Sequence, residues 1–232
     1  MIVGVRAAAE LLGVSEKTVY RWVSQGKLPA YRVNEQYRFN RAELLEWATS
    51  QRINVSVRIL EEPEDGACVP SLEQALRAGG VFYRLEGNDK LSVLHSVVEV
   101  MPLPEEVDRS FLEQVLLARE AVASTAIGDG IAIPHVRNPI VLHIPYPMIA
   151  LCFPEHSVDF GALDGKPVHT LFTIVSPTIK GHLGLLSRLA FALHDKEFSD
   201  VLLAQGSREA LFQHIRRIDD MIAQHTSPAG AQ

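Results

Sequence analysis

The chain has 232 residues, 47% hydrophobic and 22% charged, with a net charge of −6. This is globular composition, sufficient for one large domain or two unequal ones, and it excludes a disordered chain. Two cysteines, Cys68 and Cys152, exclude a disulfide scaffold and a multi-cysteine metal cluster. No apolar run approaches the roughly 20 residues of a membrane span, and Met1 to Arg6 lacks the marks of a secretory signal. A reduced, cytoplasmic protein with no membrane insertion is therefore expected. Residues 1–52 hold eight basic and five acidic residues, a net of +3, and the remainder carries −9. A mildly basic head on an acidic body points to two domains with different partners.

In the head, residues 6–12 carry apolar positions at helical spacing and stop at Gly13. Ser15 is placed to cap a second helix, Glu16 to Gln25, which Gly26 ends. A hairpin follows, with strands Tyr31–Val33 and Tyr37–Phe39 around a tip at Asn34-Glu35-Gln36. Asn40 then precedes a third helix, Arg41 to Ser50, with Leu44, Leu45 and Trp47 among its core contacts. Helix, glycine turn, helix is the outline of a helix-turn-helix.

The segment AAAELLGVSEKTVYRWVSQGKLPAYRV…YRFNRAELLEW resembles the MerR-like and excisionase-type winged helix-turn-helix domains. That resemblance implies a DNA-binding domain over residues 1–51. Its candidate contacts are Ser15, Lys17, Thr18, Tyr20 and Arg21 at the major groove and Arg38 on the wing, with Val19 and Trp22 packing inward. Residues 52–70, with the acidic run Glu61-Glu62-Pro63-Glu64-Asp65-Gly66, are expected to be a linker.

The body alternates helices and strands. Leu72–Ala78 is a short helix ended by Gly79-Gly80, Val81–Leu85 a strand, and Leu91–Met101 a helix capped by Asn88 or Asp89. A helix over Glu105–Val122 follows, then a short strand over Ile131–Ile133. Met148–Phe153 and Leu171–Val175 are nearly continuous apolar runs, as expected of strands buried on both faces. His182–His194 and Ser207–Gln224 are the last two helices, and residues 226–232 are expected to be a disordered tail. The pattern predicts an α/β sandwich, a mixed sheet flanked by helices, in residues 71–225.

The segment Ala118 to Pro139, AREAVASTAIGDGIAIPHVRNP, sets one imidazole, His135, just past a short strand with Arg119 and Arg137 near it in sequence. No nucleotide-binding glycine pattern occurs, so nothing argues for ATP. Ser124 lacks the elbow of a hydrolase nucleophile, and His182 and His194 lack metal-ligand spacing.

The run RE…ST-IG-GIAIPH is similar to the active-site segment of the fructose/mannitol-type enzyme IIA domains of the phosphoenolpyruvate-dependent phosphotransferase system, which include a nitrogen-regulatory branch. The likeness continues through VDFGALDGKPVHTLFTIVSP and GHLGLLSRLAFALHDKEF. It implies that His135 accepts a phosphoryl group from the histidine phosphocarrier protein, with His182 and Arg119 holding the phosphoryl oxygens. Ser124, Thr125 and Arg137 are further candidates for phosphoryl or partner binding. No cofactor and no metal are implied. Ala126 and Val136 stand where that family usually has glycine. The expected function is a phosphohistidine-bearing regulator that binds DNA through its head, with a homodimer as a candidate assembly. The alternatives are a transport phosphocarrier feeding a IIB partner and a non-catalytic adaptor.

Overall fold

The computed structural model describes residues 2–33, 36–51, 53, 69–136 and 144–226. In the head, α1 (Val5–Leu11) and α2 (Glu16–Ser24) pack together around the turn at Gly13, whose φ of 63° is the left-handed conformation that ends α1. The Ser15 hydroxyl accepts the Thr18 backbone N–H at 3.2 Å and so caps α2. Strands β2 (Tyr31–Val33) and β3 (Gln36–Asn40) form the expected antiparallel pair, and α3 (Arg41–Ser50) follows with its expected bounds. Asn34 and Glu35 of the hairpin tip lie outside the described residues. An additional strand, β1 (Ile2–Gly4), pairs with β3 to give the order β1-β3-β2. Three residues before a helix offer too short a pattern to be read as a strand. Val19, Phe39, Leu44 and Leu45 are fully buried, and Trp22 packs on Trp47 with ring centroids 5.2 Å apart.

The body is a five-stranded mixed sheet between two helical layers. Its strands are β4 (Val81–Leu85), β5 (Ala126–Gly128), β6 (Ile131–Ala132), β7 (Met148–Pro154) and β8 (Thr170–Val175). The order is β4-β7-β8-β6-β5; β4/β7 and β6/β8 are parallel, β7/β8 and β5/β6 antiparallel. Every residue of β7 and β8 is buried, as their nearly continuous apolar runs require. Helices α5 (Lys90–Val100) and α6 (Arg109–Val122) bury Val93, Val97, Leu112 and Leu116 in one core layer. Helices α4 (Leu72–Gly79), α7 (Ile179–Ala192), α8 (Lys196–Leu203) and α9 (Arg208–Thr226) bury Leu76, Leu185, Phe198, Ile215 and Ile222 in the other.

Most element bounds shift from expectation by a residue or two, and the larger departures have identifiable causes. Helix α6 starts at Arg109, four residues late, because the Asp108 carboxylate accepts the Phe111 N–H at 2.9 Å and fixes the start there. Helix α7 starts three residues early, at Ile179, because Thr178 accepts the Gly181 N–H at 3.0 Å. The unexpected α8 is capped by Asp195, which accepts the Phe198 N–H at 2.9 Å. Thr226, assigned to the tail from the sequence, ends α9, and residues 227–232 lie outside the described residues. Most of the expected linker, at residue 52 and residues 54–68, lies outside them too.

The layers are closed by a carboxylate clasp. Asp219 on α9 accepts the Leu72 and Glu73 backbone N–H groups at 3.0 and 2.9 Å, placing its charge at the positive end of α4. Among the described residues no helix is long and apolar enough to cross a membrane.

Candidate functional site

The β5–β6 hairpin and the end of α6 build the site. Asp129 and Gly130 turn the hairpin with φ of 49° and 71°. A Cβ at Gly130 would overlap the His169 imidazole, so this turn needs glycine for both its dihedral and its space. Past β6, the Pro134 carbonyl accepts the Ile174 N–H at 2.9 Å, and His135 bridges to Ile174 in a parallel register. The sheet thereby fixes the backbone of the histidine.

His135 is 4% exposed. Its Nδ1 lies 2.8 Å from the Ile133 carbonyl oxygen. A carbonyl only accepts, so Nδ1 carries a proton, and in the neutral ring the lone pair is on Nε2. The ring of His182, from the first turns of α7, lies 5.1 Å away, centroid to centroid. Its Nε2 has no hydrogen-bond partner among the described residues. Burial, and then the neighbouring His135, push the His182 pKa down to about 3. His182 is therefore a neutral imidazole that can donate one N–H to an anion on its neighbour.

Arg119 sits in the last turn of α6, its guanidinium almost wholly buried. Nη1 donates to the Ala123 carbonyl at 2.8 Å, and Nη2 donates to Glu46 Oε2 at 3.0 Å. Glu46 comes from α3 of the head. Its other oxygen, Oε1, lies 3.2 Å from His135 Nε2, without the alignment of a hydrogen bond. Helix α3 packs against α7 and β5, and the apolar cores of head and body run together there. A cleft of about 350 Å³ remains, bordered by Glu46 and Trp47 from the head and by Arg119, Ser124, Thr125 and His135 from the body.

Ser124 donates to the Phe160 carbonyl at 2.7 Å and accepts the Ala126 N–H at 3.1 Å, so its hydroxyl shapes the loop. Thr125 is buried, and its hydroxyl has no partner among the described residues. Glu120 accepts the Thr125 N–H at 2.9 Å and pairs with Lys90 at 3.1 Å. Ala126 pairs with Ala132 across the hairpin, and Val136 is 3% exposed in the α5/α6 core. Both positions that depart from glycine are thus filled by packed side chains. Arg137 lies outside the described residues.

Glu46, His135 and His182 bring one ligand atom each within 4.8 Å of one another. Two imidazoles and a carboxylate are ligands a divalent cation accepts. Here the carboxylate already neutralises Arg119, whose fixed charge opposes a second cation.

In the head, Lys17, Tyr20 and Arg21 are exposed on α2, and Thr18 is half-buried. Ser15 is committed to its cap, and Arg38 on β3 donates to Gln36 at 2.9 Å.

The family described as phosphoenolpyruvate-dependent sugar phosphotransferase system, EIIA 2, matches residues 74–218, well over half of the chain. The chain belongs to that family. A helix-turn-helix domain family matches residues 3–52. The nitrogen regulatory protein of Pseudomonas aeruginosa is 37% identical over 153 residues, covering 61% of this chain and 92% of the relative. The fructose-specific EIIABC component of Bacillus subtilis is 34% identical over 138 residues, 58% of this chain but 21% of its own length. Among solved structures, the nitrogen regulatory protein IIA-Ntr of Neisseria meningitidis superposes with a TM-score of 0.51 at 27% identity, covering 58% of this chain and 92% of its own. The EIIA body is thus a phosphotransfer component joined to a helix-turn-helix head.

The site residue that sequence reasoning missed is Glu46. It lies 73 positions from Arg119 and in another domain, and no local motif marks it.

Proposed function

We propose that this protein is a phosphorylation-responsive regulator. Nε2 of His135 takes a phosphoryl group from the histidine phosphocarrier protein, and the head binds DNA through α2. The observation that carries the first part is the Ile133 carbonyl on Nδ1, which in the neutral ring leaves the lone pair on Nε2, the nitrogen beside the carboxylate that Arg119 holds. In the transfer, that lone pair forms the new N–P bond. The N–P bond of the donor phosphohistidine breaks, and its electron pair returns to the donor ring. No proton need move. Phosphoryl transfer asks for alignment and for stabilisation of the equatorial oxygens. Arg119 supplies a guanidinium and His182 a neutral N–H for those oxygens.

DNA binding is supported by the family match of the head and by the exposure of Lys17, Tyr20 and Arg21 on its second helix. Ser15 and Thr18 sit at the start of that helix, and Arg38 adds a cation on the neighbouring sheet. The head is also what favours regulation over simple transport, since delivering phosphate to a IIB partner requires no helix-turn-helix.

The test is a phosphorylation assay with phosphoenolpyruvate, enzyme I and the histidine phosphocarrier protein, following acid-labile phosphate. Wild type is expected to label and His135→Ala to remain unlabelled. His182→Ala should label more slowly, by about 10²-fold, the cost of one oxyanion donor. Failure of both wild type and Glu46→Ala to label beside a working control IIA overturns the phosphoacceptor reading.

A further inference from the structure

Glu46 belongs to the head, yet its carboxylate ends inside the site of the body, between Arg119 and His135. Its side chain is 9% exposed, and those of Arg119 and His135 are 8% and 5% exposed. We propose that Glu46 is an intramolecular plug: a carboxylate on the chain's own helix-turn-helix domain that occupies the phosphoryl position and shuts the acceptor until the head lifts away. The proposal rests on His135 being the phosphoacceptor.

Three features of the geometry carry it. First, Oε1 lies 3.2 Å from the nucleophilic nitrogen. A phosphorus atom must come within about 3–3.5 Å of that nitrogen, in line with its lone pair, for transfer to begin. Carboxylate and phosphoryl group therefore compete for one space. Second, Oε2 already takes the Arg119 Nη2–H that the phosphoryl oxygens require. Third, the obstruction is larger than one side chain. Helix α3 packs on α7 and β5, and Glu43, Trp47 and Pro29 stand with Glu46 over the cleft. A protein donor cannot bring its own histidine to His135 past a docked head.

The exchange also runs in the other direction. A phosphoryl group on Nε2 brings roughly −1.5 to −2 charges if it titrates like other protein phosphates. Arg119 then pairs with the phosphoryl oxygens and remains satisfied. Glu46 loses its cation and faces a like charge, so α3 leaves. Docking and phosphorylation exclude each other, and the coupling is reciprocal: whatever holds the head away speeds labelling, and labelling releases the head.

The test uses the full chain. Initial rates of labelling by the histidine phosphocarrier protein are compared for wild type, Glu46→Ala and Glu46→Gln. Release of α3 is read in parallel by amide hydrogen exchange and by tryptophan emission, since both tryptophans, Trp22 and Trp47, are in the head. Glu46→Ala is expected to label about tenfold faster than wild type, within the usual range of allosteric couplings. Glu46→Gln, which keeps the shape and loses the charge, should also label faster, by less. Phosphorylated wild type should show the rise in α3 exchange that Glu46→Ala shows without phosphate. His135→Ala exposed to the same cascade should show none. Equal rates in all three proteins, with α3 exchange unchanged by labelling, overturn the plug and leave the phosphoacceptor standing. If Glu46→Ala stays unlabelled while a control IIA labels, the phosphoacceptor reading falls and takes the plug with it.

Discussion

At the scale of single residues, the two histidines of the site are set apart by what surrounds them. His135 is tied through Nδ1 to a backbone carbonyl, while His182 is buried with a free Nε2 and a pKa pushed down to about 3. The second fact makes stability depend on pH. An unfolded histidine binds a proton below about 6.5, and folded His182 does not until about 3. The unfolded state therefore holds the extra proton between those values, and stability falls as pH drops through that window. Above pH 6.5 the two states bind equally and His182 contributes no slope. The expected limit is about 1.4 kcal/mol per pH unit. Urea melts of wild type and His182→Gln between pH 7 and 4 should diverge by an amount of that order. Parallel curves would show that His182 does not titrate differently on unfolding. Cys152 gives a second readout. Burial pushes its thiol up to about 12, so alkylation should track global unfolding and be absent from the native protein.

At the scale of elements, the site depends on a tight hairpin. Ala substitution at Gly130 must accept a φ of 71° and displace the His169 ring. A cost of about 1–3 kcal/mol is expected, seen as a lowered Tm, together with slower labelling of His135 because β6 sets its position. Unchanged melting in Gly130→Ala would mean that the turn relaxes freely. The Asp219 clasp is separable from this hairpin: Asp219→Asn should cost about 1 kcal/mol through the weakened start of α4 and leave the labelling rate unaltered. What the sequence disclosed of these elements follows from the length of each signal. Strands β7 and β8 are nearly continuous apolar runs, and α3 and β4 match their expected bounds. The three-residue β1 exists through pairing with the distant β3, which no short window contains, and the three-residue β5 through pairing with β6 across the Asp129-Gly130 turn, too short a pattern to read as a strand. The caps that moved α6 and α7 were single side chains, Asp108 and Thr178, with several equivalent residues nearby. His135, His182 and Arg119 were legible because each lies in a motif continuous in sequence. Glu46 was not, because its role is created by the docking of one domain on another.

At the scale of the whole molecule, magnitudes decide whether the docked form can yield. A buried ion pair is close to neutral in net stability, since desolvation offsets attraction. The Glu46–Arg119 pair therefore fixes the orientation of the head more than it strengthens the contact. One added negative charge about 4 Å from Glu46 is worth roughly 4 kcal/mol of repulsion at an effective dielectric of 20. That repulsion opposes the docked arrangement of the head. Helix α2 is a separate matter: Lys17, Tyr20 and Arg21 are exposed with the head docked. Lys17→Ala and Arg21→Ala should each weaken binding to mixed-sequence duplex DNA and lower the slope of log K against log salt by about 1. A slope that neither substitution changes would place the nucleic-acid contact elsewhere or remove it.

The Asp219 clasp has a consequence for how such a chain could arise. It joins the last helix of the body to the first, so the α/β sandwich is already fastened shut before any further segment is attached. The Pseudomonas aeruginosa relative is matched over 92% of its length by 61% of this chain, so it is about the size of the body alone. A gene fusion at its front edge opens no strand pairing and unpicks no core. An unrelated small domain can then be acquired in one event, and a single acidic residue on its outer helix is enough to make the newcomer responsive to the chemistry it covers.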